Sequence, residues 1–212
     1  MKNKTTELVF ILDKSGSMAG MEKDTIGGFN AMLEKQKAQD GSVYITTVLF
    51  SNYAQTLHDR KALEEIQPLT EKDYQVGGCT ALLDAIGGTI EHISTIHKYA
   101  RKEDIPQHTM FVITTDGMEN ASTRYTKDEI TALIHEKEGL GWEFLFIAAN
   151  IDAVSTAKSI GIREERAANY CVETDTDIVF EEISECISEL RDNDFLESDL
   201  GARFEKKLKN RK

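Results

Sequence analysis

The chain has 212 residues, 40% apolar and 29% charged, enough for one domain with a substantial core. Its formal net charge of −12 argues against a general binder of nucleic acid or of anionic membranes, since phosphate repels such a surface. No run approaches the length of a membrane span, and the five apolar residues after Lys2 and Lys4 are too few for a secretory signal, so a cytoplasmic location is expected.

Apolar runs and amphipathic segments alternate along the chain. Leu8–Leu12 is an all-apolar run of the buried, parallel-strand type. From about Met21 to Lys37, Ile26, Phe29 and Leu33 recur at helical spacing, and Val43–Phe50 is a second strand. Ser51-Asn52 makes a two-residue break before Tyr53–Leu57, and so short a link joins antiparallel neighbours, which makes the third strand an antiparallel edge. After an irregular stretch with Pro68 and Gly77-Gly78, a long helix carries Leu82, Leu83, Ile86, Ile90, Ile93 and His97 on one stripe. Thr109–Thr115 is the fourth strand. Thr126-Lys127-Asp128-Glu129 reads as a capping box for a helix with Ile130, Leu133 and Ile134 inward. Phe144–Ala148 is the fifth strand, Asp152 caps a short helix, and Tyr170–Val172 is a weaker sixth strand. Thr174-Asp175-Thr176-Asp177 opens a last helix, with Val179, Ile183, Ile187 and Leu190 inward and Glu181, Glu182, Glu185 and Glu189 on its polar face. Residues 1–191 thus read as one domain and 192–212 as a charged C-terminal helix or tail. Arg203 to Lys212 hold six basic side chains against Glu205, and a solvated helix end or disordered terminus is expected there rather than a docking element. The glycine pairs after Ile26 and Ile86, inside the two long helices, are expected to serve close helix–sheet packing.

This alternation describes an α/β fold, a doubly wound, mainly parallel sheet with helices on both faces. In such folds ligands bind beyond the carboxyl ends of the strands. There the chain offers Asp13, Ser15 and Ser17 after strand one and Asp116 after strand four, and the loop ending in Thr80 can reach the same edge. All five present hard oxygen, the ligand set of magnesium, with manganese or calcium as substitutes, and not of zinc or copper. Two carboxylates with three hydroxyls leave a divalent ion attractive to a further anion. Each residue also has an ordinary alternative: Ser15, Ser17 or Thr80 as helix caps, Asp116-Gly117 as a turn. Their joint occurrence at one predicted edge favours the metal. The three cysteines, Cys79, Cys171 and Cys186, form no CxxC pair, so no disulfide frame or zinc site is expected.

Asp13-Lys14-Ser15-Gly16-Ser17 is a D-x-S-x-S signature. With Gly78-Cys79-Thr80 and Thr115-Asp116-Gly117 it resembles the von Willebrand factor type A domain and its metal-ion-dependent adhesion site, over roughly residues 6 to 190. The resemblance is strongest to small bacterial cytoplasmic members. It implies a six-stranded sheet of order 3-2-1-4-5-6 with strand three antiparallel, a magnesium site at its top, and protein partners whose Asp or Glu completes the metal shell. Bacterial members often work beside ATPases.

Glu119 and Asn120 either orient waters at the rim or form a solvated turn. Asp84, one turn after Thr80, is either behind the metal ligands or simply a favourable acid in a helix's first turn. Cys79, a poor magnesium ligand, is expected to pack. The D-x-D of haloacid-dehalogenase phosphatases, the P-loop, the G-x-S-x-G elbow and H-E-x-x-H are all absent. The expected function is therefore a non-catalytic, magnesium-dependent protein-binding module. The alternatives are a metal-dependent hydrolase of a phosphate-bearing small molecule, or a regulatory subunit of an ATPase.

Overall fold

The computed structural model describes residues 5–170, 172–196 and 199–210. Six strands, β1 (Thr6–Asp13), β2 (Val43–Phe50), β3 (Ala54–Ala62), β4 (His108–Thr115), β5 (Trp142–Ala149) and β6 (Ala167–Tyr170), form one sheet of order β3-β2-β1-β4-β5-β6. Only β3 runs antiparallel to its neighbour; β1, β2, β4, β5 and β6 pair in parallel. The helices are α1 (Glu22–Lys37), α2 (Leu82–Tyr99), α3 (Lys127–Glu138), α4 (Ala153–Ser159), α5 (Val172–Asn193) and α6 (Leu200–Asn210).

The two-residue period of a strand divides β1 between two cores. Leu8, Phe10 and Leu12 face Phe29, Met32 and Leu33 of α1 and Ile183 and Ile187 of α5. Val9 and Ile11 face Leu82, Ile86 and Ile90 of α2, with Ile130 and Ile134 of α3 farther along. Both faces being covered explains why the central strands read as unbroken apolar runs. Among the described residues no helix is long and apolar enough to cross a membrane.

The expected capping box is present: Thr126 Oγ1 accepts from Glu129 N while the Glu129 carboxylate takes Thr126 N. Asp152 caps α4 by accepting from Ser155 N. Other expectations need correction. β3 runs on to Ala62, through the polar Asp59, Arg60 and Lys61, because an edge strand needs no apolar outer face. β6 lies at Ala167–Tyr170, not Tyr170–Val172. Its Ala167 and Ala168 are too small to register as a strand signal, yet they fill the narrow space beside β5. Val172 already begins α5, so that helix starts before the Thr174–Asp177 segment; Cys171 and the side chains of that segment lie outside the described residues.

The glycine pairs serve a different contact from the one expected. A Cβ on Gly28 would lie 2.1 Å from the Phe180 ring of α5, and one on Gly87 would lie 2.7 Å from the Tyr125 ring. Their partners are a helix and a loop, not the sheet. The tail also departs from a solvated end. On α6, Leu200 and Phe204 are buried, Arg203 pairs with Glu182, Glu185 and Glu189, and Lys207 pairs with Glu182 and Glu185. Glu182 is wholly buried beneath α6, so the acidic face of α5 is an intramolecular seat rather than a free surface.

One further buried charge had no signal in the sequence. Glu7, fully enclosed at the start of β1, receives Arg60 Nε from β3 at 2.6 Å, and its other oxygen meets His97 Nε2 from α2 at 2.6 Å. His97 thus leaves the apolar stripe to meet a carboxylate.

Candidate metal centre

Three loops meet at the carboxyl ends of β1 and β4. The first, after β1, is tied to β2 by Lys14 N donating to Phe50 O at 2.8 Å, and turns through a short 3-10 segment, Gly16–Met18. The second, residues 77–81, is stitched to the first by Gly77 N to Lys14 O at 2.8 Å and Gly16 N to Gly78 O at 3.0 Å. Gly78 has φ +85°, and a Cβ there would lie 2.6 Å from Asn52 Oδ1, which accepts from Cys79 N; glycine is required on both counts. The third loop, after β4, is joined to the second by a reciprocal pair, Asn120 N to Thr80 O at 3.0 Å and Thr80 N to Asn120 Oδ1 at 2.9 Å.

Within this frame the five oxygen-bearing residues are gathered. Ser15 Oγ and Ser17 Oγ are 3.0 Å apart, and Ser17 Oγ donates to Asp116 Oδ1 at 2.6 Å. A Cβ on Gly117 would stand 3.0 Å from Thr80 Oγ1, 3.1 Å from Ser17 Oγ and 3.9 Å from Ser15 Oγ, so three hydroxyls from two loops converge on one small space. Asp116 Oδ2 is buried with no hydrogen-bond partner. Asp13 sits just behind, accepting from Ser15 N at 2.7 Å and from Thr115 Oγ1 at 2.6 Å.

The hydroxyls are not helix caps. Ser15 precedes the 3-10 turn without a side-chain capping bond, and the residues before α1 and α2 are Met21 and Ala81. Burial pushes the Asp13 carboxyl above the usual range, and the bonds from Thr115 and Ser15 and the repulsion from Asp116 leave it there. Burial raises Asp116 too, only partly offset by Ser17. For both carboxyls the chief cause is desolvation, which disfavours the charged form. The ammonium of Lys14 bonds elsewhere, to Gln55 Oε1 of β3 at 3.0 Å. Among the described residues no three His, Cys, Asp or Glu side chains cluster as a metal site, so any ion here depends on hydroxyls beside the two aspartates.

The flanking acids are braces. Glu119 takes hydrogen bonds from Leu83 N, Ala121 N, Ser122 N and Ser122 Oγ, and Asp84 takes Thr123 N, Arg124 N and Tyr125 N. Neither is a solvated turn residue, and both fix the third loop against α2. Cys79 is exposed rather than packed. Two residues went unassigned in the sequence: Thr115, whose hydroxyl orients Asp13, and Tyr74, whose phenol donates to Asp13 O. Thr115 had a signal, since it adjoins Asp116; Tyr74, from an irregular stretch, had none.

No family model and no curated protein matches the chain. Solved structures do. Proximal thread matrix protein 1 from the mussel byssus superposes with TM-score 0.59 at 14% identity, covering 85% of this chain and 45% of that one. The ArnB paralog VWA2 from Sulfolobus acidocaldarius gives 0.53 at 20% identity, over 85% and 44%. The vWF domain of the type V pili tip protein Mfa5 from Porphyromonas gingivalis gives 0.62 at 11% identity, over 86% and 95%. The chain shares the fold of these structures, which include a vWF domain. The chain spans less than half the length of the first two of these and nearly all of the third. The mussel protein has also been solved with zinc in its MIDAS motif.

Proposed function

We propose that the chain is a non-catalytic, magnesium-dependent protein-binding module of cytoplasmic, bacterial type, whose metal-ion-dependent adhesion site captures a carboxylate of a partner protein. The observation that carries this reading is Asp116 Oδ2, buried and without a hydrogen-bond partner beside three converging hydroxyls. An unpaired buried carboxylate oxygen is costly, and a hard cation is the partner that suits it. Asp13, Ser15, Ser17, Thr80 and Asp116 would hold magnesium, or manganese or calcium in its place. The ion would supply an exchangeable position attractive to an anionic oxygen.

The surroundings favour a protein partner. Met118, next to the site, and Tyr53, in the turn laced to the second loop, are 72% and 71% exposed. Large apolar side chains at the rim of a polar centre are the kind that anchor protein interfaces. Because the chain is strongly acidic, an Asp or Glu on a neutral or basic surface suits both the ion and the long-range field. An ATPase presenting such a residue is one candidate partner.

The test has two arms. Magnesium should raise the melting temperature of the wild type but not of Asp116→Ala. Affinity capture should retain a partner that EDTA releases and magnesium restores. Equal thermal responses of wild type and variant, or retention surviving both EDTA and Asp116→Ala, would overturn the reading.

A further inference from the structure

We propose a second binding site, for a small amphipathic organic anion, at the opposite end of the sheet from the metal loops. A cavity of about 470 Å³ opens between the last turn of α2, the segment entering β4, and the turn from α3 into β5. Thr109 and Trp142 in its wall lie at the amino ends of β4 and β5, so about 25 Å of strand separates it from the metal centre. The volume suits a small organic molecule.

The chemistry of the wall selects the ligand class. It contains Lys98, Lys137 and His97 and no acidic residue, in a protein of net charge −12. His97 is committed to Glu7, and the ammonium of Lys98 lies over the Tyr99 ring. Lys137 has its side chain only 11% exposed and its ammonium over the Trp142 ring, and pairs with Glu136, whose side chain is 63% exposed. Ile105, Pro106, Leu140 and Trp142 give the wall an apolar portion, beside the neutral polar Thr95, Gln107 and Thr109. Ser94, also in the wall, has its Oγ shielded from solvent without a hydrogen-bond partner. Apolar lining, two lysines and an unused hydroxyl together fit a ring-bearing carboxylate, sulfonate or phosphate. This site does not rest on the metal reading.

The chain's one tryptophan is Trp142, which makes the site self-reporting. Titration with 1-anilinonaphthalene-8-sulfonate should give saturable, single-site energy transfer from Trp142 to the dye. Lys98→Glu, at an exposed position, and Lys137→Glu should each weaken binding about tenfold or more. Lys35→Glu on α1 should leave it unchanged. The uncharged analogue N-phenyl-1-naphthylamine should bind at least about tenfold more weakly, and inorganic phosphate alone should compete poorly because it lacks the apolar body. Equal binding of the neutral dye, unsaturable emission, or indifference to Lys98→Glu would overturn the proposal.

Discussion

Gly117→Ala tests the metal centre without removing any of its oxygen atoms. The added methyl would lie 3.0 Å from Thr80 Oγ1 and 3.1 Å from Ser17 Oγ, tighter than ordinary carbon–oxygen contact, in the space where the hydroxyls converge. In metal-free protein, crowding of this kind costs about 1–3 kcal/mol. About 0.4–1 kcal/mol returns through the less flexible unfolded chain. The net loss of about 1–2 kcal/mol corresponds to a melting temperature lower by roughly 2–8 °C for a chain of this size. The magnesium response is the sharper reading. On the proposed metal reading, a hundredfold excess of ion over its dissociation constant should stabilise the wild type by about 2.7 kcal/mol, or roughly 5–11 °C. With the space filled, that increment should all but vanish. Differential scanning calorimetry of both proteins, with EDTA and with magnesium, measures the two effects separately. A Gly117→Ala protein that keeps the full magnesium increment would refute the assignment of the ion to this space.

Gly27→Ala and Gly28→Ala should have opposite signs: nothing lies within 4 Å of a Cβ at Gly27, so helix propensity gains about 1 kcal/mol, whereas at Gly28 the Phe180 ring must move. Urea unfolding of the two variants checks this. Arg203→Ala should cost about 1.5–3 kcal/mol, because it strips one of two cationic partners from the fully buried Glu182 while Lys207 remains, and Glu182→Leu in that background should recover part of the loss. Burial pushes the Asp84 carboxyl up, but hydrogen bonds from Thr123 N, Arg124 N and Tyr125 N outweigh it and hold the pKa below the usual carboxylate value. Stability from Asp84 is therefore full above the unfolded pKa of about 3.9 and is lost as pH falls through the lower folded value. The stability gap between wild type and Asp84→Ala should accordingly narrow below about pH 4 in acid titrations, and a constant gap would contradict the role given to its charge.

Legibility in the sequence followed how local each cause was. β1, β2, β4 and β5 were readable because strands buried on both faces carry mostly apolar runs, and the α3 cap because its chemistry spans four consecutive residues. The juxtaposition of the oxygen set was readable because its members end or follow β1 and β4, or lie in the loop before α2. β6 was misplaced because alanine carries little strand signal, and its position depends on the space left beside β5. The seat of α6 was missed because a basic tail and an acidic helix face each look solvated until the chain brings them together. Glu7 gave no sign of its burial, since Arg60 and His97 reach it only through the tertiary fold.

The stitching of the three loops also fixes when in folding the site can exist. Ser17 meets Asp116 across 99 residues of chain, and Thr115 meets Asp13 across 102. Closing contacts of that span requires β1 and β4 to be already paired, with the 77–81 loop packed against them. An ion that needs the finished arrangement cannot speed its construction, and acts only by slowing its loss. Stopped-flow refolding should therefore run at the same rate with magnesium or EDTA, while unfolding should slow as magnesium rises. On the proposed reading the site would be a timer as well as a clasp, its occupancy setting how long each folded molecule lasts.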